Sequence, residues 1–190
     1  MSVQPLRPGQ AIGQNARMTS SVRAFFLTVL IGCQSSDVAA PPLGADAQAI
    51  HATLDELYAA FCFDAGEEPN WAAQRAIYLE GATFVAPIRA GTDSVGVATD
   101  RFVADFRSFA LGGAYAATGL AERIVDTRIG VHGDIAHAFV LFEGYRPAEP
   151  ATAVTRGIDS IQLVRAAGGW RLVSFTTQYE TPQLRLSLGH

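Results

Sequence analysis

The chain has 190 residues, 49% of them apolar, with 14 basic residues against 18 acidic ones and a formal net charge of −4 at pH 7. That is enough chain for one domain with a proper core; it is neither a disordered composition nor the basic one needed to displace counterions from nucleic acid. All the basic residues are arginines, scattered along the chain, and two cysteines, Cys33 and Cys62, are too few for a disulfide framework.

The N-terminal region predicts an export signal. Residues 24–31, "AFFLTVLI", follow Arg23 and precede the polar, proline-bearing "QSSDVAAPPLGADA". This apolar run falls well short of the roughly 20 residues that cross a bilayer. A cation, a short apolar run and then small residues is the layout of a secretory signal. "LIGC" at Leu30–Cys33 resembles the bacterial lipobox, in which cleavage before a cysteine exposes it for lipidation, so Cys33 is the expected lipidation site. Translation can begin at Met1 or at Met18; the second start gives the more compact signal. The expected organisation is a signal and lipobox region at 1–33, a flexible tether at 34–45, a folded domain at 46–180 and a C-terminal tail at 181–190. Such a protein is exported and held at a bacterial membrane of the cell envelope by its lipid.

Asp46 predicts the cap of a first helix, with Ile50, Leu54, Leu57, Tyr58 and Phe61 on one face and Gly66 beyond its end. Asn70 predicts the cap of a second, short helix, "WAAQRAIYL", stopped by Gly81. "ATFVAPI" at 82–88 reads as a strand closed by Pro87. Thr99 or Asp100 opens a third helix, with Phe102, Val103, Phe106 and Phe109 on one side and Gly112-Gly113 behind it. From Thr118 onward the pattern turns to strands. "GLAERIVDTRIG" and "IAHAFVLFEGY" flank the turn "VHGD", and "TRGIDSIQLVR" and "WRLVSFTTQYE" flank "AAGG". Three helices with one strand among them, followed by four long antiparallel strands, predict an α+β domain with its helices on one sheet face.

That order, with "LDELYAAFCFDAG", "GDIAHAFVLFEGY" and "RGIDSIQLVRAAGGWRLVSF" in it, resembles the nuclear transport factor 2-like, or cystatin-like cone, superfamily over residues 46–180. The resemblance implies a curved antiparallel sheet wrapped around helices, a cone-shaped α+β barrel with a pocket at its open end. It implies no single function, because the fold hosts enzymes, binding modules and transport factors.

Alternation along the last hairpin puts Ile161, Leu163, Val173 and Phe175 on one parity. The other parity carries Ser160, Gln162, Ser174, Thr176 and Gln178 among Ile158, Val164, Trp170 and Leu172. Uncharged hydrogen-bonding groups among apolar ones suit a pocket wall, and they also suit an outer face or a dimer contact. The expectation carried forward is a ligand site lined by Ser160, Gln162, Ser174 and Gln178, with Tyr58 reaching in from the first helix. A homodimer would then cover the opposite, hydrocarbon face of the sheet.

Ketosteroid-isomerase-like members of the superfamily place an oxyanion-donor tyrosine on the first helix and an aspartate base just before a proline on the first strand. Tyr58 stands near the first position. Ala86 stands before Pro87, and a methyl group moves no proton, so the resemblance does not extend to that mechanism. The remaining acid–base candidates are Glu143, Tyr145, Asp159 and His137. His132, Asp134 and His137 lack a metal-ligand spacing, and no metal is expected. Cys62 in "FCF" reads as a buried core thiol. No phosphate loop, dinucleotide fingerprint or nucleophile elbow occurs in the sequence, so no cofactor is expected. Together these readings predict a lipid-anchored envelope protein whose cone binds a small, largely apolar molecule. Two alternatives stay open. One is a SnoaL-like or dehydratase/isomerase-like enzyme working through Glu143, Tyr145 and His137; the other is a non-catalytic assembly module.

Overall fold

The structure is a computed structural model that describes residues 44–85, 95–113 and 115–189. Met18, Cys33, all but the last two residues of the tether and the Ala86-Pro87 step lie outside the described residues.

Helix α1 spans Ala45–Phe61 and is followed by α2 (Trp71–Ile77), β1 (Tyr78–Val85), β2 (Gly96–Ala98) and α3 (Thr99–Gly112). Four long strands complete the chain: β3 (Ala121–His132), β4 (Ile135–Tyr145), β5 (Ala153–Ala166) and β6 (Gly169–Tyr179). All six strands form one curved sheet in the order β2-β1-β6-β5-β4-β3. The α+β class and the meander of long antiparallel strands are as expected. The strand β1, however, joins the meander by pairing in parallel with β6, the last strand.

Local chemistry accounts for most element ends. Asn70 caps α2 as expected, its Oδ1 accepting from the Ala73 N–H at 3.0 Å. Asp46 does not cap α1; the N-cap is Gly44, and the Asp46 carboxylate pairs with Arg165 at 2.6 Å from within the first turn. Helix α2 stops at Ile77, because Tyr78 is already extended, with φ −80° and ψ 140°. Gly81, expected as the helix stop, instead lies in β1 at φ +83°, inside the register shift between Tyr78 and Thr83. A left-handed glycine at such a bulge bends the strand without a Cβ penalty. The three-residue β2 is too short to show an alternation, and the sequence gives no sign of it.

The core lies between α1 and the inner face of the sheet. Ile50, Leu54, Leu57, Tyr58 and Phe61 pack against Ala138, Val140 and Phe142 of β4, Ile161 and Leu163 of β5, and Leu172 and Phe175 of β6. An aromatic cluster joins α3 to this core. The Phe61 ring lies 6.3 Å from Phe102, 5.2 Å from Phe106 and 6.2 Å from Phe175, and Phe84 stacks on Phe102 at 4.2 Å. Phe109, expected on the same helix face, is 44% exposed at the edge of this cluster, 5.7 Å from Phe106 and 5.2 Å from Tyr115.

The two faces of the last hairpin are the reverse of the expectation. Ile161, Leu163 and Phe175 are buried in the core cluster, whereas Gln162 is exposed and Ser160, Ser174 and Gln178 are half-buried on the other face. The register also shifts between Gln162 and Leu163, whose partners are Ser174 and Leu172, so Val173 is an extra residue. This bulge brings Trp170 and Leu172 onto the inner face with Phe175, which a strict two-residue period mis-sorts. Ser160, Gln162, Ser174 and Gln178 therefore do not line the cone interior. Ile161 and Phe175, the residues that a sheet-to-sheet homodimer was expected to cover, lie in the core instead.

Candidate functional site

Inside the cone the core holds a carboxyl group. Strand β5 carries Asp159 on its inner face, 2% exposed, between Val140 of β4 and Thr177 of β6 in register. Tyr58, itself buried on α1, donates its O–H to Asp159 Oδ2 at 2.5 Å. Asp159 Oδ1 is sealed from solvent and has no hydrogen-bond partner among the described residues. Burial pushes the Asp159 carboxyl up to about 7, against the pull of the Tyr58 and Thr177 hydroxyls, which favour its ionised form. The Tyr58 phenol is held well above its ordinary range, by burial first and then by the negative charge Asp159 would carry.

A second acid borders the pair. Glu122 of β3, opposite Gly144 of β4, is pushed up to about 8 by burial and then by Asp159. Its backbone N–H donates to Cys62 Sγ at 3.2 Å, and the Cys62 thiol reaches the Tyr58 carbonyl at 3.3 Å. Cys62 is thus half-buried, less enclosed than a core thiol, and it ties the end of α1 to the start of β3. Aromatic rings surround Tyr58: Phe61 at 6.4 Å and Phe142 at 5.9 Å, with Tyr179 standing 6.1 Å behind Phe142.

This arrangement has a definite chemistry. Near neutral pH Asp159 exchanges between acid and carboxylate. As the acid, with Tyr58 donating to Oδ2, the carboxyl has Oδ1 for its proton, and the Thr177 hydroxyl is the other polar group that acts on it. As the carboxylate, Oδ1 is an unpaired acceptor in a low-dielectric interior. Either state favours a guest with a matching polar atom, and exchange between the states can move a proton.

The other expected site residues lie elsewhere. The Glu143 carboxylate pairs with Arg123 at 2.8 Å, and the same guanidinium lies 5.6 Å over the Tyr145 ring. His137 Nε2 is 2.9 Å from Ser160 Oγ, with its ring edge-on to Phe139 at 4.4 Å. All three are outward-facing residues of β4, and the strand rise puts His137 about 20 Å from Glu143. Glu143, Tyr145 and His137 therefore do not form one catalytic network. Asp134, considered with the histidines, is paired with Arg165 at 3.0 Å. Of the acid–base candidates only Asp159 reaches the interior, where it meets Tyr58. Glu122 and Thr177 are additions the sequence reading passed over. Glu122 shares its parity with Leu120 and Ile124, and an acid in that company is the signal that could have found it.

No protein-family model matches the sequence, and no curated protein matches it. Solved structures do share the fold. The chain is similar to a cystatin-like-fold protein of unknown function from Nostoc punctiforme, with a TM-score of 0.57, 12% identity, and 75% of this chain and 98% of that chain covered. It is similar also to a provisionally named dehydratase of the nuclear transport factor 2-like family from Streptomyces avermitilis, with a TM-score of 0.53, 14% identity, and 71% and 96% coverage. A nuclear transport factor 2-like protein from Novosphingobium aromaticivorans gives a TM-score of 0.51, 15% identity, and 72% and 83% coverage. At these identities the likeness establishes the cystatin-like cone fold, and activity must be argued from the site.

Proposed function

We propose that this chain is a lipid-anchored envelope protein whose cone takes up a small, largely apolar molecule, with Tyr58 and Asp159 as its polar anchor. One observation carries the reading of the cone: Asp159 Oδ1, buried beside Tyr58 and its aromatic neighbours, has no partner among the described residues. A buried polar atom left unpaired is costly, and a guest oxygen placed against the protonated Asp159 would remove that cost. A second reading, proton transfer on the bound molecule, is favoured by the Asp159 carboxyl lying at about 7, where an acid–base group works best at neutral pH. It assigns to Asp159 the role expected of Glu143, Tyr145 and His137.

The test is an absorbance titration of the full chain with 4-nitrophenol near pH 6. Saturable binding is expected in the unaltered protein. Asp159→Asn should keep it, because the amide accepts from Tyr58 with its oxygen and donates from the other position. Asp159→Leu should weaken it roughly tenfold or more, the value of a hydrogen bond lost in a desolvated site. Equal binding by all three proteins would remove Asp159 from the site.

The envelope address is supported by the Arg23–Cys33 pattern alone. Two or more acyl chains hold a protein at a membrane stably, at about 0.8 kcal/mol per buried CH₂, where one chain is marginal. Mass spectrometry of membrane-extracted protein is expected to find the mature chain beginning at an acylated Cys33. Recovery of an unmodified chain that retains the residues before Cys33 would contradict the anchor.

A further inference from the structure

An open cleft of about 420 Å³ lies where β5 begins and β6 ends, lined among others by Thr155, Arg156, Tyr179, Glu180, Pro182 and Arg185. Its size falls within the range of small-molecule sites, roughly 300–1,000 Å³. Arg156 is half-buried there, and its Nε is sealed from solvent with no acceptor among the described residues. Both neighbouring acids are already committed. Glu143, the cross-strand partner of Arg156 in register, is paired with Arg123 at 2.8 Å. Glu180 accepts from Arg185 at 2.5 Å and from the Leu186 N–H at 3.1 Å. The Glu180 N–H in turn donates to the Arg156 carbonyl at 2.8 Å, which fixes the backbone on which the guanidinium stands.

A guanidinium is always charged, and its buried N–H is costly to leave unpaired. The structure therefore has a cation on a fixed backbone, in a cleft, whose Nε–H meets no acceptor among the described residues; the nearby Glu180 carboxylate feels its charge while its hydrogen bonds go to Arg185 and Leu186. We infer that this cleft receives the carboxylate of a small organic acid, held by Arg156, with the acid's apolar body against Tyr179 and Pro182. A planar guanidinium matches a carboxylate in geometry and supplies the stronger, charge-assisted class of hydrogen bond. A phosphate dianion fits less well, because Arg185 is neutralised by Glu180 and the Glu180 carboxylate repels a second negative charge. The inference stands on the cleft alone and does not depend on Tyr58 or Asp159.

The experiment is a titration of the ¹⁵N-labelled full chain with benzoate, read at the Arg156 Nε–H resonance and by calorimetry. A saturable shift of that resonance is expected, and none with the neutral isostere benzamide. Affinity should fall roughly tenfold or more in Arg156→Gln and change only about twofold in Arg185→Gln. The absence of a saturable shift, equal binding of benzamide, undiminished affinity in Arg156→Gln, or tighter binding of inorganic phosphate than of benzoate would each overturn the inference. The resonance is read on the unaltered protein, so a variant that fails to fold does not shield the inference. Failure here leaves the 4-nitrophenol result for the interior pair unaffected, and the reverse also holds.

Discussion

From about pH 5 to about pH 8 the protein is expected to lose thermal stability, and Asp159→Asn to lose much of that dependence. An aspartate in the unfolded chain ionises near ~3.9, whereas burial raises Asp159 in the folded state to about 7. Below both values each state holds the proton, and the contribution of this group to stability is at its fullest. Between them the unfolded chain gives up its proton while the folded chain keeps it, so stability falls by about 1.4 kcal/mol per pH unit. Above the folded value both states are ionised and the loss is complete. Glu122, raised to about 8, acts with the same sign and extends the window upward. It keeps part of its surface in contact with solvent, so the sealed Asp159 sets the size of the effect. The asparagine cannot ionise and retains the acceptor for Tyr58. The variant should therefore gain on the order of 2–3 kcal/mol relative to the unaltered protein as pH rises through this range. Melting temperatures recorded against pH for both proteins give the answer. Parallel profiles would show that Asp159 is not held as a neutral acid in the folded chain.

Phe61→Ala should lower stability by about 3–5 kcal/mol, the range for removing a buried aromatic ring from a core that cannot collapse onto the gap. The ring is 4% exposed and meets Tyr58, Phe102, Phe106 and Phe175, so it joins α1, α3 and β6 at one point. Phe109→Ala is the comparison. Its ring is 44% exposed, and its removal should cost under about 1 kcal/mol, in keeping with a surface position. Denaturant midpoints for the two variants should differ accordingly. A Phe109→Ala loss equal to that of Phe61→Ala would mean that the packing of α3 is misassigned.

How much the sequence disclosed follows from which physical signals are local. The apolar face of α1, the Asn70 cap and the two long hairpins are written within a few residues each, and they are where the sequence placed them. The parallel pairing of β1 with β6 is not, because nothing local to Tyr78–Val85 names its partner. The inverted faces of the last hairpin have two causes. An outer face poor in charge mimics a pocket wall, and the bulge at Val173 shifts the period halfway along β6. The site suffered from the same error. Asp159 shares its parity with Ile161 and Leu163, so placing that parity outside hid the partner of Tyr58. Once the parity is inward, an acid in the middle of an apolar set marks the interior site, and Glu122 between Leu120 and Ile124 repeats the signal on β3.

The ionisation of Asp159, read from its carboxyl ¹³C shift in selectively labelled protein, is the most direct measurement of the interior chemistry. A midpoint of about 7 is expected in the unaltered chain. In Tyr58→Phe the midpoint should move higher, because the phenol that favours the carboxylate is gone. A midpoint in the ordinary aspartate range, near ~3.9, would contradict the buried, neutral acid on which the proposed binding chemistry rests.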